Sequence, residues 1–181
     1  MPEFKNQGNL FGAAPDRPYH LSVGVVVLNA DNDVLALYYP TIDEITDIYV
    51  LPNKTVKPNE TPTDTAIRGA KQELGCDIQI ITFLGSTQTQ DTWWNEIGTP
   101  KSVEKTVLYF LARATNQDSA VVKDVNESEG RTVVAKTFGF LIENMNKTVL
   151  KDGMRDFNHA SILARAQTWI SAHPDLRSET L

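Results

Sequence analysis

The sequence predicts an α/β fold, an α/β/α sandwich in which helices cover both faces of a mixed central sheet. Three observations predict it. His20–Ala30 (HLSVGVVVLNA) is Val-rich and nearly continuously apolar, the pattern of a strand buried on both faces. Thr61–Gly75 carries the start and stop signals of a helix with one apolar side. The full element order reads β-β-β-α-β-β-β-α-α, which lets helical segments return to the sheet from either side.

Taken in order, Met1–Pro18 is broken by Gly8, Gly12, Pro15 and Pro18 and reads as an N-terminal arm lying over the domain, or as a partly disordered one. Its Phe4, Leu10 and Phe11 suit docking on a neighbouring surface, a second subunit included, so a homodimer is one expectation. His20–Ala30 opens the domain, Asp31-Asn32-Asp33 turns, and Val34–Tyr39 returns as the second strand of a hairpin. Pro40–Thr46 is a loop and Asp47–Leu51 a short third strand.

Leu51–Asp77 (LPNKTVKPNETPTDTAIRGAKQELGCD) begins as a loop rich in Pro, Asn and Thr and continues as the first helix. Thr61 can cap it, Pro62 suits its first position, Asp64 its third, and Gly75 ends it. Ala66, Ile67, Ala70 and Leu74 form its apolar stripe, while Arg68, Gln72 and Glu73 lie on another face beside a gap at Gly69.

Beyond the helix, Asp77–Gln88 is strand-like, with Ile78, Ile80 and Phe83 as core residues. Gln90–Lys101 reads as a polar loop holding Trp93 and Trp94, and Glu104–Ala114 as a clear strand. Asn116–Arg131 is polar and acidic, followed by a strand at Thr132–Phe138 and a short helix at Leu141–Lys147. Asp156–Ala172 is a long amphipathic helix whose stripe is Ile162, Leu163, Ala166, Trp169 and Ile170. The expected organisation is an arm over 1–18, one domain over 19–174 and a tail over 175–181.

A chain of 181 residues is long enough to bury a real core. Its formal net charge of −6 argues against broad nucleic-acid binding, which needs a basic footprint. A nucleotide is compatible with that charge, because its phosphates can be met by a metal or by a few local cations. No run is long and apolar enough for a signal peptide or a bilayer span, so a cytoplasmic protein without membrane contact is expected. Cys76, the single cysteine, cannot form an internal disulfide and reads as a small buried residue in a reducing compartment. His20, His159 and His173 share no metal-ligand spacing and read as structural or exposed, and no Walker loop, zinc pattern or Ser-His-Asp set occurs.

Residues 54–76 resemble the Nudix box, G-x5-E-x7-R-E-U-x-E-E-x-G-U with U a bulky apolar residue. Glu60, Arg68, Glu73 and Gly75 fall in register with it, and Leu51-Pro52 precede them as they often do in the family. Lys54 stands at the first Gly, Gly69 at the Glu after the Arg, and Gln72 at the first Glu of the final pair. Ala70 and Cys76 occupy the two bulky apolar positions. Lys105–Leu111 (KTVLYFL) is similar to a strand of Nudix enzymes that act on dinucleoside polyphosphates.

The resemblance covers roughly His20 to Ala172 and implies a Nudix-type α/β/α sandwich. It implies hydrolysis of a nucleoside diphosphate linked to another moiety, with Mg²⁺ or Mn²⁺ as cofactor. Glu60 and Arg68 would pair to shape the loop. Metal ligands would sit at positions 69, 72 and 73, one helical turn apart, and only Glu73 keeps a carboxylate. Local ligand charge thus falls from about −3 to about −1, which weakens binding of a hard dication.

On this reading Glu73 is the main metal ligand, and Gln72 contributes its amide oxygen or a water. Glu127 and Glu129 would lend acids from a later loop, with Asp91, Glu96 and Glu104 as weaker candidates. Lys54 would meet a phosphate, or its ammonium would sit where a metal would be. Trp93 and Trp94 would stack a base, or else pack in the core or at a subunit contact. Two functions stay open: a pyrophosphohydrolase with weakened metal-dependent activity, and a catalytically silent module that binds a nucleotide or a partner.

Overall fold

A computed structural model describes residues 6–7, 10–14, 17–39, 47–94, 100–115, 131–147 and 159–177, with side chains described for 20–39, 47–88, 105–115, 131–147 and 159–175. In chain order the strands before the first helix are β1 (Asn6–Gln7), β2 (Leu10–Ala14), β3 (Arg17–Leu28), β4 (Val34–Tyr39), β5 (Ile48–Val50) and β6 (Asn53–Thr55). Helix α1 (Pro62–Leu74) is followed by β7 (Ile78–Trp94), β8 (Pro100–Ala114), β9 (Thr132–Lys136), α2 (Phe138–Lys147) and α3 (Ala160–Ala172), then a 3-10 turn at Pro174–Arg177. Among the described residues, no helix is long and apolar enough to cross a membrane.

β3 is the spine of the mixed sheet. Along one edge it runs parallel to β8, from Tyr19 opposite Glu104 to Leu28 opposite Arg113. Its other edge takes β2, β6 and β4 in succession, all antiparallel. Helices on both faces explain its unbroken apolar sequence: Val23, Val25 and Val27 pack with Ala66, Ala70 and Leu74 of α1. Val26 and Leu28 point the other way, into a core that Leu141 and Met145 of α2 share with Ile162 and Leu163 of α3. The architecture is the α/β/α sandwich that the sequence predicts.

Glycine at position 24 is required by close approach. A β-carbon there would lie 2.3 Å from Cε1 of Tyr109, a fully buried ring on β8 directly opposite it. The turn from β3 to β4 is tightened by Asn29, whose Oδ1 accepts the Asp33 N–H at 2.8 Å, and by Asn32, whose φ is 63°. Helix α1 starts as its sequence predicts. The Thr61 hydroxyl accepts the Asp64 N–H at 3.1 Å, and the Asp64 carboxylate accepts the Thr61 N–H at 3.3 Å. Gly75 closes the helix with φ 71°, a left-handed conformation.

Several expectations need correction. Gln90–Lys101 is not simply a loop: β7 continues to Trp94 and β8 begins at Pro100, with Gln90 opposite Glu104 and Trp94 opposite Pro100. Thr and Trp favour strands, and a backbone partner on β8 lets that preference prevail over the segment's polarity. The loop entering the box also holds a strand, β6, paired with Ser22–Gly24 of β3. Ile67 is 42% exposed, because it lies about 100° around the helix from Ala66 and off the line through Ala66, Ala70 and Leu74. Phe83 is 52% exposed. Register shifts at Ile80/Thr82 and Phe83/Gly85 break the alternation, turning Ile81 and Leu84 toward the α2–α3 core instead.

Replacing Gly24 with Ala should cost about 1–3 kcal/mol, because the added methyl must displace Tyr109 inside a packed core. Urea denaturation of the variant checks this; a loss below about 0.5 kcal/mol would contradict the close approach.

Candidate phosphate-binding site at the box

The site is built where β6 runs alongside the middle of β3 and α1 packs over both. His159, just before α3, holds the incoming chain: its Nδ1 accepts the Leu51 N–H at 2.9 Å. Burial, with the charge of Lys105 second, pushes the imidazole pKa down to about 3, so the ring stays neutral and able to accept. Its ring lies edge-on to Tyr109, with centroids 5.7 Å apart.

Glu60 and Arg68 are locked together. Arg68 donates from Nε to Oε1 at 2.6 Å and from Nη2 to Oε2 at 2.7 Å, and Nη2 also reaches the Thr55 carbonyl at 3.0 Å. Oε2 accepts from the Lys57 N–H at 3.0 Å and the Thr65 hydroxyl at 2.8 Å. The loop before α1 is thereby tied to the helix at both ends of its course. Hydrogen bonding from Arg68, ahead of that from Lys57 and Thr65, holds the Glu60 carboxyl down at about 2.

Glu73 sits on the buried side of α1 and is 5% exposed. Its Oε2 accepts the Asn53 N–H at 2.9 Å. Its Oε1 lies 2.9 Å from the Lys54 ammonium and 3.4 Å from Nη1 of Arg131. The pairing of β9 with β4 sets Thr132 opposite Tyr38, which brings Arg131 beside Tyr39, whose hydroxyl accepts from the same Nη1 at 3.0 Å. Lys105 on β8 donates to Oδ1 of Asn53 at 3.3 Å. Among the described residues, the cations of Lys54, Arg131 and Lys105 and the carboxylate of Glu73 therefore gather around Asn53, in a chain of net charge −6.

The structure joins Lys54 to Glu73 and leaves Gln72 apart from them, with its amide oxygen 3.4 Å from Nη1 of Arg68. Trp93 and Trp94 lie at the far end of β7, and Asp91 and Glu104 also fall on the β7–β8 hairpin. Glu127, Glu129 and Glu96 lie outside the described residues. Sequence reasoning alone misses Arg131, Lys105, Asn53 and His159 as site residues. The signal for Arg131 is faint: a cation closing an acidic stretch just ahead of a strand.

Residues 18–141, more than half of the chain, match the NUDIX domain, and the chain belongs to the Nudix family. It is similar to the RNA pyrophosphohydrolases of Rickettsia canadensis (strain McKiel) and Rickettsia rickettsii (strain Sheila Smith), at 36% identity over 62 residues. That match takes in 34% of this chain and 37% of each relative, so the chain spans little more than a third of their length. A NUDIX hydrolase from Nitrosomonas europaea shares the fold with a TM-score of 0.56 and 12% identity, over 83% of this chain and 90% of that one.

Nudix proteins generally use a divalent metal, and the described residues do not fit one. No three of His, Cys, Asp and Glu converge among the described residues. Glu73 already meets two cations and an N–H. A dication about 4 Å from the Lys54 ammonium would be opposed by roughly 8 kcal/mol at an effective dielectric of about 20, which offsets much of what one carboxylate returns. A hard, hydrated ion would enter only if Lys54 left.

Arg68→Ala should destabilise the fold by about 2 kcal/mol and free the loop before α1. The pH dependence has a definite sign. Glu60 titrates near 4.5 when unfolded and at about 2 when folded, so its stabilisation is complete above 4.5 and is lost as pH falls toward 2. Denaturant midpoints measured across that window should fall more steeply for the parent than for Glu60→Gln; equal slopes would contradict the lock.

Proposed function

We propose that this chain binds the diphosphate group of a nucleoside diphosphate derivative and hydrolyses it slowly or not at all. One observation carries the reading: both oxygens of Glu73, the only box carboxylate kept on α1, are committed to Lys54, Arg131 and the Asn53 N–H. A carboxylate so engaged is poorly placed to activate water or hold a metal. The ammonium of Lys54, partly exposed beside Glu73, with Lys105 and Arg131 nearby, suits phosphate oxygens, for which a lysine acts as a point charge.

Family membership and the local similarity to RNA pyrophosphohydrolases favour a second reading, hydrolysis at the 5′ phosphates of an RNA. Glu127 and Glu129 would then supply acids to the metal. The net charge of −6 argues that such an RNA would be held by its phosphate end rather than along its length.

Calorimetric titration with ADP, ADP-ribose, a dinucleoside tetraphosphate and a 5′-triphosphorylated RNA, each with EDTA or with Mg²⁺, separates the two. Binding in EDTA, weakened at least tenfold by Lys54→Ala, with no phosphate release in Mg²⁺, is the expected result. Mg²⁺-dependent phosphate release abolished by Glu73→Gln would overturn it.

A further inference from the structure

Lys54 and Gly69 depart from the box pattern at positions fifteen residues apart in sequence, yet they touch. Lys54 lies on β6 opposite Val23, and its side chain crosses the surface of α1 at Gly69. A β-carbon at position 69 would meet Cγ of Lys54 at 3.4 Å and its Cβ at 3.9 Å. Alanine would only just reach the lysine stem; a carboxylate side chain growing the same way would need the stem's space. The missing side chain at 69 is what lets the ammonium arrive 2.9 Å from Glu73.

The two changes also match in charge. One brings a positive charge to the place where the family's pattern has a glycine, and the other removes a negative charge from the place where it has a glutamate. Either change alone would be awkward. With a glutamate kept at position 69, the lysine would be crowded. With Gly69 but no lysine, Glu73 would keep only Arg131 among the cations described and lose part of its compensation.

We infer that Lys54 and Gly69 form one device, a tethered cation that takes the place of the divalent ion and makes anion binding at this site independent of metal. The Lys54 side chain is 29% exposed while Glu73 is 6% exposed, so the ammonium bridges a buried acid and open solvent. An ammonium has three donor protons, of which Glu73 takes one on this face, leaving donors for the oxygens of a phosphate. Unlike a bound dication it supplies no acidified water, so the same substitution that secures binding removes a route to hydrolysis. This inference rests on the proposed phosphate binding for its ligand, but not for its metal preference.

The test measures Mn²⁺ alone by the loss of its free-ion EPR signal, and inorganic pyrophosphate by calorimetry in EDTA. The proteins are the full chain, Lys54→Met, and the double variant Lys54→Gly with Gly69→Glu. The parent should take up Mn²⁺ at least tenfold more weakly than the double variant. Pyrophosphate should bind the parent in EDTA, bind Lys54→Met at least tenfold more weakly, and bind the double variant only once Mn²⁺ is added. Equal Mn²⁺ uptake by parent and double variant would overturn the inference, as would equal pyrophosphate affinity of parent and Lys54→Met. If the double variant does not fold, the parent and Lys54→Met comparison decides alone. Absence of pyrophosphate binding in every protein would remove the proposed function, while the Mn²⁺ comparison would still decide the coupling.

Discussion

The Glu73 carboxylate lies almost out of contact with water, and a charge in that position must be compensated by its neighbours. In a box with three helix glutamates a divalent ion would do the compensating. Here the protein supplies the charge itself, with Lys54 from β6 and Arg131 from just before β9, while the Asn53 N–H completes the second oxygen. Every element around the site is placed by that requirement: β6 must pair with β3 to present Lys54, and β9 must pair with β4 to present Arg131.

The other half of the box is a scaffold, and it is intact. Glu60 and Arg68 clamp the loop through two charge-assisted hydrogen bonds, the Thr61–Asp64 pair starts α1, and Gly75 stops it. His159 adds a tie from outside the box, buried and neutral, holding the Leu51 N–H across 108 residues of chain. Loop shape and metal binding are therefore separable properties of this fold. One has been kept while the residues that serve the other have changed, which is how a fold persists as its chemistry shifts.

Local features of the box are readable in the sequence because their causes are local. Caps, the αL glycine and helix periodicity act within a few residues, so α1 and its boundaries follow from Thr61, Pro62, Asp64 and Gly75. Continuous apolarity likewise announces β3, since a strand covered on both faces has no polar side to show. What cannot be read depends on pairing register. Phe83 turns outward because of two bulges that no periodicity reveals, and the run ending at Trp94 becomes strand because β8 is there to pair with it. Arg131 reaches Glu73 through a strand pairing between distant segments. The sequence places Lys54 and Gly69 in one motif, but only the packing of β6 against α1 shows that they share a space.

The central claim is that protein cations, rather than a divalent ion, satisfy Glu73. Anomalous diffraction at the manganese edge, from crystals soaked in Mn²⁺ and pyrophosphate, tests it most directly. The account predicts pyrophosphate density against Lys54 and Lys105, no manganese peak at Glu73, and the Lys54 ammonium still in contact with Oε1. A manganese peak at ligand distance from Glu73, with Lys54 swung aside, would contradict it.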